Sequence, residues 1–217
     1  MPKLYCTLIS PPTRAVMMCA NVLGVKLELV EIDVLAGDQL KEEFLRKNPC
    51  ETIPVLEDDD GWIVAESHAI NAYLVAKYGK DDQLYPKDYK LKSHVDAKLH
   101  FDTGVIFIRG LNISKPLVYR PGGVQPDEFR LKLLKEAFET LDRMLQRTKS
   151  DYIVGDRLTI ADFSYITSIT QWNIFVPYSR YPYVDAYIKR MKKLPFFELN
   201  EEGCNLYNEL IKKNLKA

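Results

Sequence analysis

The sequence predicts two fold classes in series: an α/β unit over residues 1–79 and an all-helical unit over residues 89–217, joined by a linker at 80–88. Three observations carry this. Up to Gly79, β-prone and helix-prone runs alternate in the order β-α-β-α-β-β-α. Beyond Tyr89 the apolar residues recur only at helical spacing. Between the two, Asp81-Asp82 and Pro86 sit in a polar stretch with the composition of a connector.

Lys3 to Ile9 is a short β-prone run. Ser10 then stands as an N-cap, Pro11 suits a first helical position, and Ala15, Met18, Cys19 and Val22 recur on one face until Gly24, a C-terminal stop. Lys26 to Ile32 is a second strand. Gln39 to Lys47 is helix-like and ends at Asn48-Pro49. Ile53 to Glu57 and Trp62 to Val64 form a hairpin across the turn Asp58 to Gly61, and Glu66 to Tyr78 is a helix ended by Gly79. In the second unit Leu91, Val95 and Leu99, then Leu134, Phe138, Leu141 and Leu145, then Val184, Tyr187, Ile188 and Met191 mark successive helices. A break is expected at Tyr119 to Pro126, around Pro121-Gly122-Gly123. Leu158-Thr159-Ile160-Ala161-Asp162 is a capping-box variant, a buried helix start to which no catalysis is assigned.

Composition narrows the function. The chain has 217 residues, 30 Lys plus Arg against 30 Asp plus Glu, and 47% hydrophobic residues. This balance gives no basic excess to drive nucleic-acid binding. No secretory signal is expected, and the longest apolar run, Ala15 to Ala20, is far short of the ~20 residues of a membrane span, so no membrane partner is expected. The four cysteines, Cys6, Cys19, Cys50 and Cys204, lack metal-like or C-x-x-C spacing and read as free thiols of a cytoplasmic protein, Cys6 inside a strand and Cys50 at a strand start. Histidines 68, 94 and 100 are scattered, so no metal site is expected.

Three motifs carry candidate chemistry. In Ser10-Pro11-Pro12-Thr13-Arg14 the serine is either a plain cap or a hydroxyl presented at a helix N-terminus, where backbone N–H groups and the macrodipole favour an anion such as a thiolate. One hydrogen bond and the dipole can lower a thiol pKa from ~8.5 by one or two units, about 1.4–2.7 kcal/mol. In Thr52-Ile53-Pro54-Val55-Leu56 the proline cannot donate to a ladder, so a cis peptide before Pro54 is plausible and the Ile53 backbone is free to pair with a peptide-like ligand; an ordinary strand start is the alternative. In Glu66-Ser67-His68-Ala69-Ile70 Ser67 is a candidate N-cap. Alternatively, the Glu66 carboxylate meets an α-amino group while Ser67 and the helix N–H groups hold an α-carboxylate.

The order and spacing of these motifs resemble the thioredoxin-like domain of a cytosolic glutathione transferase. The linker Tyr78 to Asp88, His100 to Phe107 and Leu158 to Ser164 resemble the insect epsilon class, with the delta class next. The resemblance implies a homodimer with one glutathione site per subunit and an adjoining apolar pocket for hydrophobic electrophiles. It implies that Ser10 hydrogen-bonds the glutathione thiolate, that Ile53 contacts the cysteinyl moiety with Pro54 in cis, and that Glu66 and Ser67, with His68 beside them, hold the γ-glutamyl head. Gln39 and Glu51 fall near the glycyl end, and Thr52 is a further expected glutathione-binding residue. For the apolar pocket the expected residues are Phe107, Leu111, Ser114, Val118 and Tyr119, with Leu206, Tyr207 and Leu210 near the C-terminus; each is also readable as plain core. A serine at position 10 argues against the omega class and glutaredoxins, which use cysteine there.

The chain departs from the resemblance at two places. Where insect epsilon and delta enzymes usually carry histidines toward the glycine of glutathione, it has Gln39 and Glu51. Two carboxylates at ~4 Å and an effective dielectric of ~20 repel by about 4 kcal/mol, unless Glu51 rotates into solvent. Three functions follow from the resemblance: conjugation of glutathione to hydrophobic electrophiles, a non-catalytic carrier of hydrophobic ligands with a weakened glutathione site, and a glutathione-dependent isomerase or dehydrochlorinase using the thiolate as base.

Overall fold

The structure, a computed structural model, describes residues 1–119 and 125–216. The N-terminal strands form one four-stranded sheet of order β2-β1-β3-β4, with β1 at Lys3–Cys6, β2 at Glu28–Glu31, β3 at Val55–Glu57 and β4 at Ile63–Ala65. β1 pairs parallel to β2 and antiparallel to β3, and β3 pairs antiparallel to β4. The register sets Leu4 opposite Leu56, both fully buried, at the centre of one face.

Helices α1 (Pro11–Leu23) and α3 (Ser67–Tyr78) pack together over that face, where Val16, Ala20, Ile70 and Leu74 join Leu4, Cys6 and Leu56 in one core. A short helix α2 (Glu42–Leu45) puts Phe44 against Ile32 and Val55 on the other face. α1 has a second buried side: Ala15, Met18 and Cys19 belong to the core of the helical unit, through contact with α7 (Ile160–Trp172). Val22, expected on the buried stripe, is 40% exposed, while the adjacent Leu23 packs against both cores.

The helical unit consists of α4 (Tyr89–Phe101), a π-helical stretch at Asp102–Phe107, α5 (Ile108–Tyr119), α6 (Glu128–Thr148), α7, α8 (Pro182–Met191) and α9 (Phe197–Lys216). Side chains cap several starts: Ser10 accepts from Thr13 N–H, Asp88 from Lys90 and Leu91, and Asp127 from Arg130. The capping box at Thr159 is present, and the buried Asp162 also accepts from Ile153 N–H (2.9 Å) and the Tyr187 hydroxyl (3.1 Å). It is a structural centre, as its sequence suggests.

Several expected boundaries shift. β1 stops at Cys6 because Ser10 N–H turns back to the Thr7 carbonyl (3.1 Å), closing a loop before α1. The helix expected over Gln39 to Lys47 is a single 3-10 turn, Asp38–Leu40, followed by α2. Cys50 lies exposed in a turn, not at a strand start. Ser67 is the first residue of α3 and Glu66 the capping position, at φ 71° and without a side-chain cap bond. Residues 120–124, which include the expected Pro121-Gly122-Gly123 break, lie outside the described residues.

Candidate functional site

Between the sheet unit and the helical unit lies a cavity of about 340 Å³. It is lined from one side by Ser10, Gln39, Glu51, Thr52, Ile53, Pro54, Glu66, Ser67 and His68, and from the other by Phe107, Leu111, Ser114, Val118, Tyr119 and Tyr207. Leu206 and Leu210 lie outside the lining. α9 turns Tyr207 and Ile211 inward, which leaves Leu206, one residue out of phase, 45% exposed.

Ser10 is placed by the loop after β1. Its Oγ accepts from Thr13 N–H across a long 3.5 Å, and its own proton is left for another acceptor. Pro11 and Pro12 have no N–H, so Thr13 is the first backbone donor of α1. The anion-favouring groups at this helix start are therefore the Ser10 hydroxyl and the macrodipole, with fewer backbone donors than a helix N-terminus ordinarily offers.

Ile53-Pro54 is cis, and the Ile53 N–H and carbonyl have no backbone partner among the described residues. The start of α3 offers free donors as well. The Ile70 N–H is the first to bond within the helix, to the Glu66 carbonyl (2.8 Å), so the N–H groups of Ser67, His68 and Ala69 precede the ladder. Glu66, at the capping position with a positive φ, lines the same cavity.

His68 is fixed by a chain of hydroxyls. The Thr103 hydroxyl lies 3.3 Å from Nδ1 and the Ser164 Oγ 2.7 Å from Nε2. Ser164 gives its proton to the Asp102 carboxylate (2.5 Å), so it must accept from His68 Nε2–H, and Thr103 then donates to Nδ1. While Asp102 is ionised, the ring is thus a neutral Nε2–H tautomer. Burial, with the nearby His100, lowers its pKa to about 4. Asp102 is itself buried, with Ser168 as a second donor (3.2 Å), and burial raises its carboxyl to about 7.

Beyond Ser10 the cavity becomes apolar. Trp172 packs at 6.0 Å from Phe107 and edge-on at 6.2 Å from Tyr207, whose hydroxyl donates to Ser114 (2.6 Å). Behind this wall Arg14 is fully buried. It donates to the Leu8 carbonyl (2.9 Å), Gln171 Oε1 (2.7 Å) and Asn200 Oδ1 (3.0 Å), with Cys204 Sγ at 3.6 Å. Gln171 in turn donates to the Ile9 carbonyl (3.2 Å), beside Ser10.

The sequence reading missed the α7 contribution of Ser164, Thr167, Ser168, Gln171 and Trp172. α7 is buried nearly all round, so it has no amphipathic stripe to point with. The available signal is the reverse one: Ser164, Ser168 and Gln171 form a polar row at helical spacing inside an otherwise apolar helix. Among the described residues no group of three His, Cys, Asp or Glu side chains is placed to hold a metal, and no helix is long and apolar enough to cross a membrane.

Residues 4–82 match the family model for the glutathione S-transferase N-terminal domain, and residues 115–198 match that for the C-terminal domain. The chain is 36% identical to glutathione S-transferase 1 of Manduca sexta, over 98% of each chain. An epsilon-class glutathione S-transferase from the housefly, Musca domestica, is 40% identical with a TM-score of 0.92, covering 99% of both chains. A glutathione transferase homologue from Drosophila mojavensis, solved with bound glutathione, is 38% identical with a TM-score of 0.92, over 98% of this chain and 97% of that one.

Proposed function

The chain belongs to the glutathione S-transferase family, and from that premise we propose that it conjugates glutathione to hydrophobic electrophiles. The observation that supports this best is the convergence on one cavity of a cap hydroxyl, an unpaired backbone edge and a free helix start, with an apolar chamber next to them. Glutathione offers a group for each. Its thiol meets the Ser10 hydroxyl, its cysteinyl amide and carbonyl meet the Ile53 backbone, and its γ-glutamyl carboxylate meets the first N–H groups of α3 while the amino group meets Glu66. Drosophila mojavensis supplies the relative with glutathione bound.

Ser10 donates to the sulfur and favours loss of the thiol proton to solvent. The thiolate then attacks the electrophilic carbon of a compound held among Phe107, Trp172 and Tyr207, a carbon–sulfur bond forms, and the leaving group departs with the electron pair. Holding both partners in one cavity lowers the entropic part of the barrier. The family relation supports a homodimer, and the free cysteines suit a cytoplasmic setting.

The test is a glutathione titration read by thiolate absorbance. Ser10→Ala abolishes the thiolate signal at neutral pH and lowers turnover by about a hundredfold, at a stability cost of at most about 1 kcal/mol for the lost cap. Unchanged conjugation by the variant overturns the assignment. A carrier of hydrophobic ligands is the second reading, favoured by the carboxylate of Glu51 on the rim; tight binding of apolar compounds with no turnover would select it.

A further inference from the structure

We propose that the hydroxyl pair of Ser114 and Tyr207 donates a hydrogen bond to an oxygen of the electrophile. The apolar chamber then favours electrophiles whose conjugation develops charge on oxygen, and α,β-unsaturated carbonyl compounds are the class it fits. This deepens the conjugation reading above and rests on it.

Helix α5 aims Ser114 at the chamber. Leu111, Ser114 and Val118 recur at helical spacing and all line the cavity. Ser114 is therefore a polar position in the middle of an apolar stripe. Helix α9 brings Tyr207 to the same wall. Its ring stands edge-on to Trp172 at 6.2 Å, and its hydroxyl reaches Ser114 Oγ at 2.6 Å. Both residues line the cavity, and both are otherwise enclosed by the protein.

The two hydroxyls carry a proton each and share one bond. Tyr207 donates to Ser114, and the Ser114 proton has no acceptor among the described residues. It does not turn back onto its own helix, as Ser93, Thr140 and Thr170 do when they donate to a carbonyl three or four residues earlier. With the bond reversed, the unused proton would be that of Tyr207, so the pair has one to give in either direction. Leu111, Val118, Phe107 and Trp172 line the chamber with side chains that offer it no acceptor. A donor shut away in this manner is unfavourable until a ligand brings an acceptor. Burial pushes the pKa of the Tyr207 hydroxyl up, so it stays protonated at neutral pH, and its bond to Ser114 polarises the second hydroxyl.

A conjugated ketone or aldehyde supplies that acceptor. The thiolate gives an electron pair to the β-carbon and a carbon–sulfur bond forms. The alkene pair moves between the α-carbon and the carbonyl carbon, and the carbonyl pair moves onto oxygen. This enolate oxygen carries the charge and takes the hydrogen bond from the pair. The α-carbon is then protonated by solvent, which returns the proton that the thiol lost, and no group leaves. A donor already in place where charge develops binds the transition state more strongly than the substrate. An alkyl halide gains nothing from it, because its charge departs with the halide.

The experiment measures kcat/KM of the full chain with glutathione for trans-4-phenyl-3-buten-2-one and for benzyl chloride. Both probes carry a phenyl ring, and only the first puts charge on oxygen. The readout is the ratio of the two values, since a disturbed wall lowers both rates and a lost donor lowers one. Ser114→Ala lowers the ratio by about tenfold or more. Tyr207→Phe frees Ser114 to bond back to its own helix and lowers the ratio by about threefold or more, which carries the test if the alanine variant does not fold. A ratio lowered by less than about threefold in every variant that folds overturns the inference and leaves conjugation standing. Conjugation of the chloride but not the ketone by the wild type does the same. Conjugation of neither probe overturns the reading above, and the inference falls with it.

Discussion

Replacing Asp102 by Asn should make the protein markedly more stable at alkaline pH and only slightly so in acid. Asp102 is 2% exposed; one oxygen accepts from Ser164 and Ser168, and the other has no partner. Burial raises its carboxyl to about 7, against ~3.9 in an unfolded chain. Between those values the folded protein holds a proton that the unfolded chain has released. Stability therefore falls as pH rises through that window, by about three units at ~1.4 kcal/mol each, roughly 4 kcal/mol. His68 acts in the opposite sense. Its pKa is lowered to about 4, against ~6.5 unfolded, so its contribution rises between about pH 4 and 6.5 by roughly 3 kcal/mol. In the wild type the two slopes largely cancel across that interval. Asp102→Asn removes the first and exposes the second. Urea unfolding followed by tryptophan fluorescence, from about pH 4.5 to about pH 8.5, should show the variant's advantage growing from about 1 kcal/mol to roughly 4 kcal/mol. A difference that does not vary with pH, or a variant less stable than wild type at the alkaline end, would refute the placement of Asp102 as a buried, reluctantly ionised carboxyl.

Two further substitutions test the wall of the cleft. A Cβ added at Gly110 would lie 2.3 Å from the Trp172 ring, so Gly110→Ala should cost about 1–3 kcal/mol or more and weaken binding of apolar ligands as the indole is pushed toward the cavity; an unaltered tryptophan spectrum with wild-type stability would contradict this packing. Arg14→Met strands the Leu8, Gln171 and Asn200 acceptors in the interior and should destabilise by about 3 kcal/mol or more in chemical denaturation, with Arg14→Lys recovering only part, since one ammonium cannot span three acceptors. A loss below about 1 kcal/mol would show that water or other groups replace the guanidinium easily.

What was legible in the sequence is what local chemistry decides. Ser10, Pro11 and Gly24 bracket α1 because a cap hydroxyl, a fixed φ and a left-handed stop are properties of single residues, and Gly24 has φ 71°. Thr159 and Asp162 announce α7 for the same reason. The details that stayed hidden depend on neighbours. Leu91, Val95 and Leu99 continue smoothly toward Phe107, and nothing in their spacing signals that the backbone widens into a π-helical stretch at Asp102; that stretch instead brings Asp102, Thr103 and Phe107 to the cavity. Leu206 and Leu210 look as suitable as Tyr207 by residue type, and only the phase of α9 separates them.

The same distinction governs how the two units relate. A chain boundary near residue 80 follows from composition, yet the loop that positions Ser10 is completed from beyond it. Gln171 of α7 donates to the Ile9 carbonyl and accepts from Arg14, which also donates to Leu8 on one side and to Asn200 of α9 on the other. Arg14 pairs with no carboxylate among the described residues; four neutral acceptors surround it, and three of them come from the helical unit. Packing is close at Gly203, where a Cβ would sit 2.4 Å from Arg14 Cδ and from the Leu8 carbonyl. The serine that would face a thiol is thus held in place by helices that line the electrophile's chamber. Ordering of α7 and α9 is in this way a condition for the geometry of the loop at Ser10, which ties the two halves of the cleft to one packing arrangement.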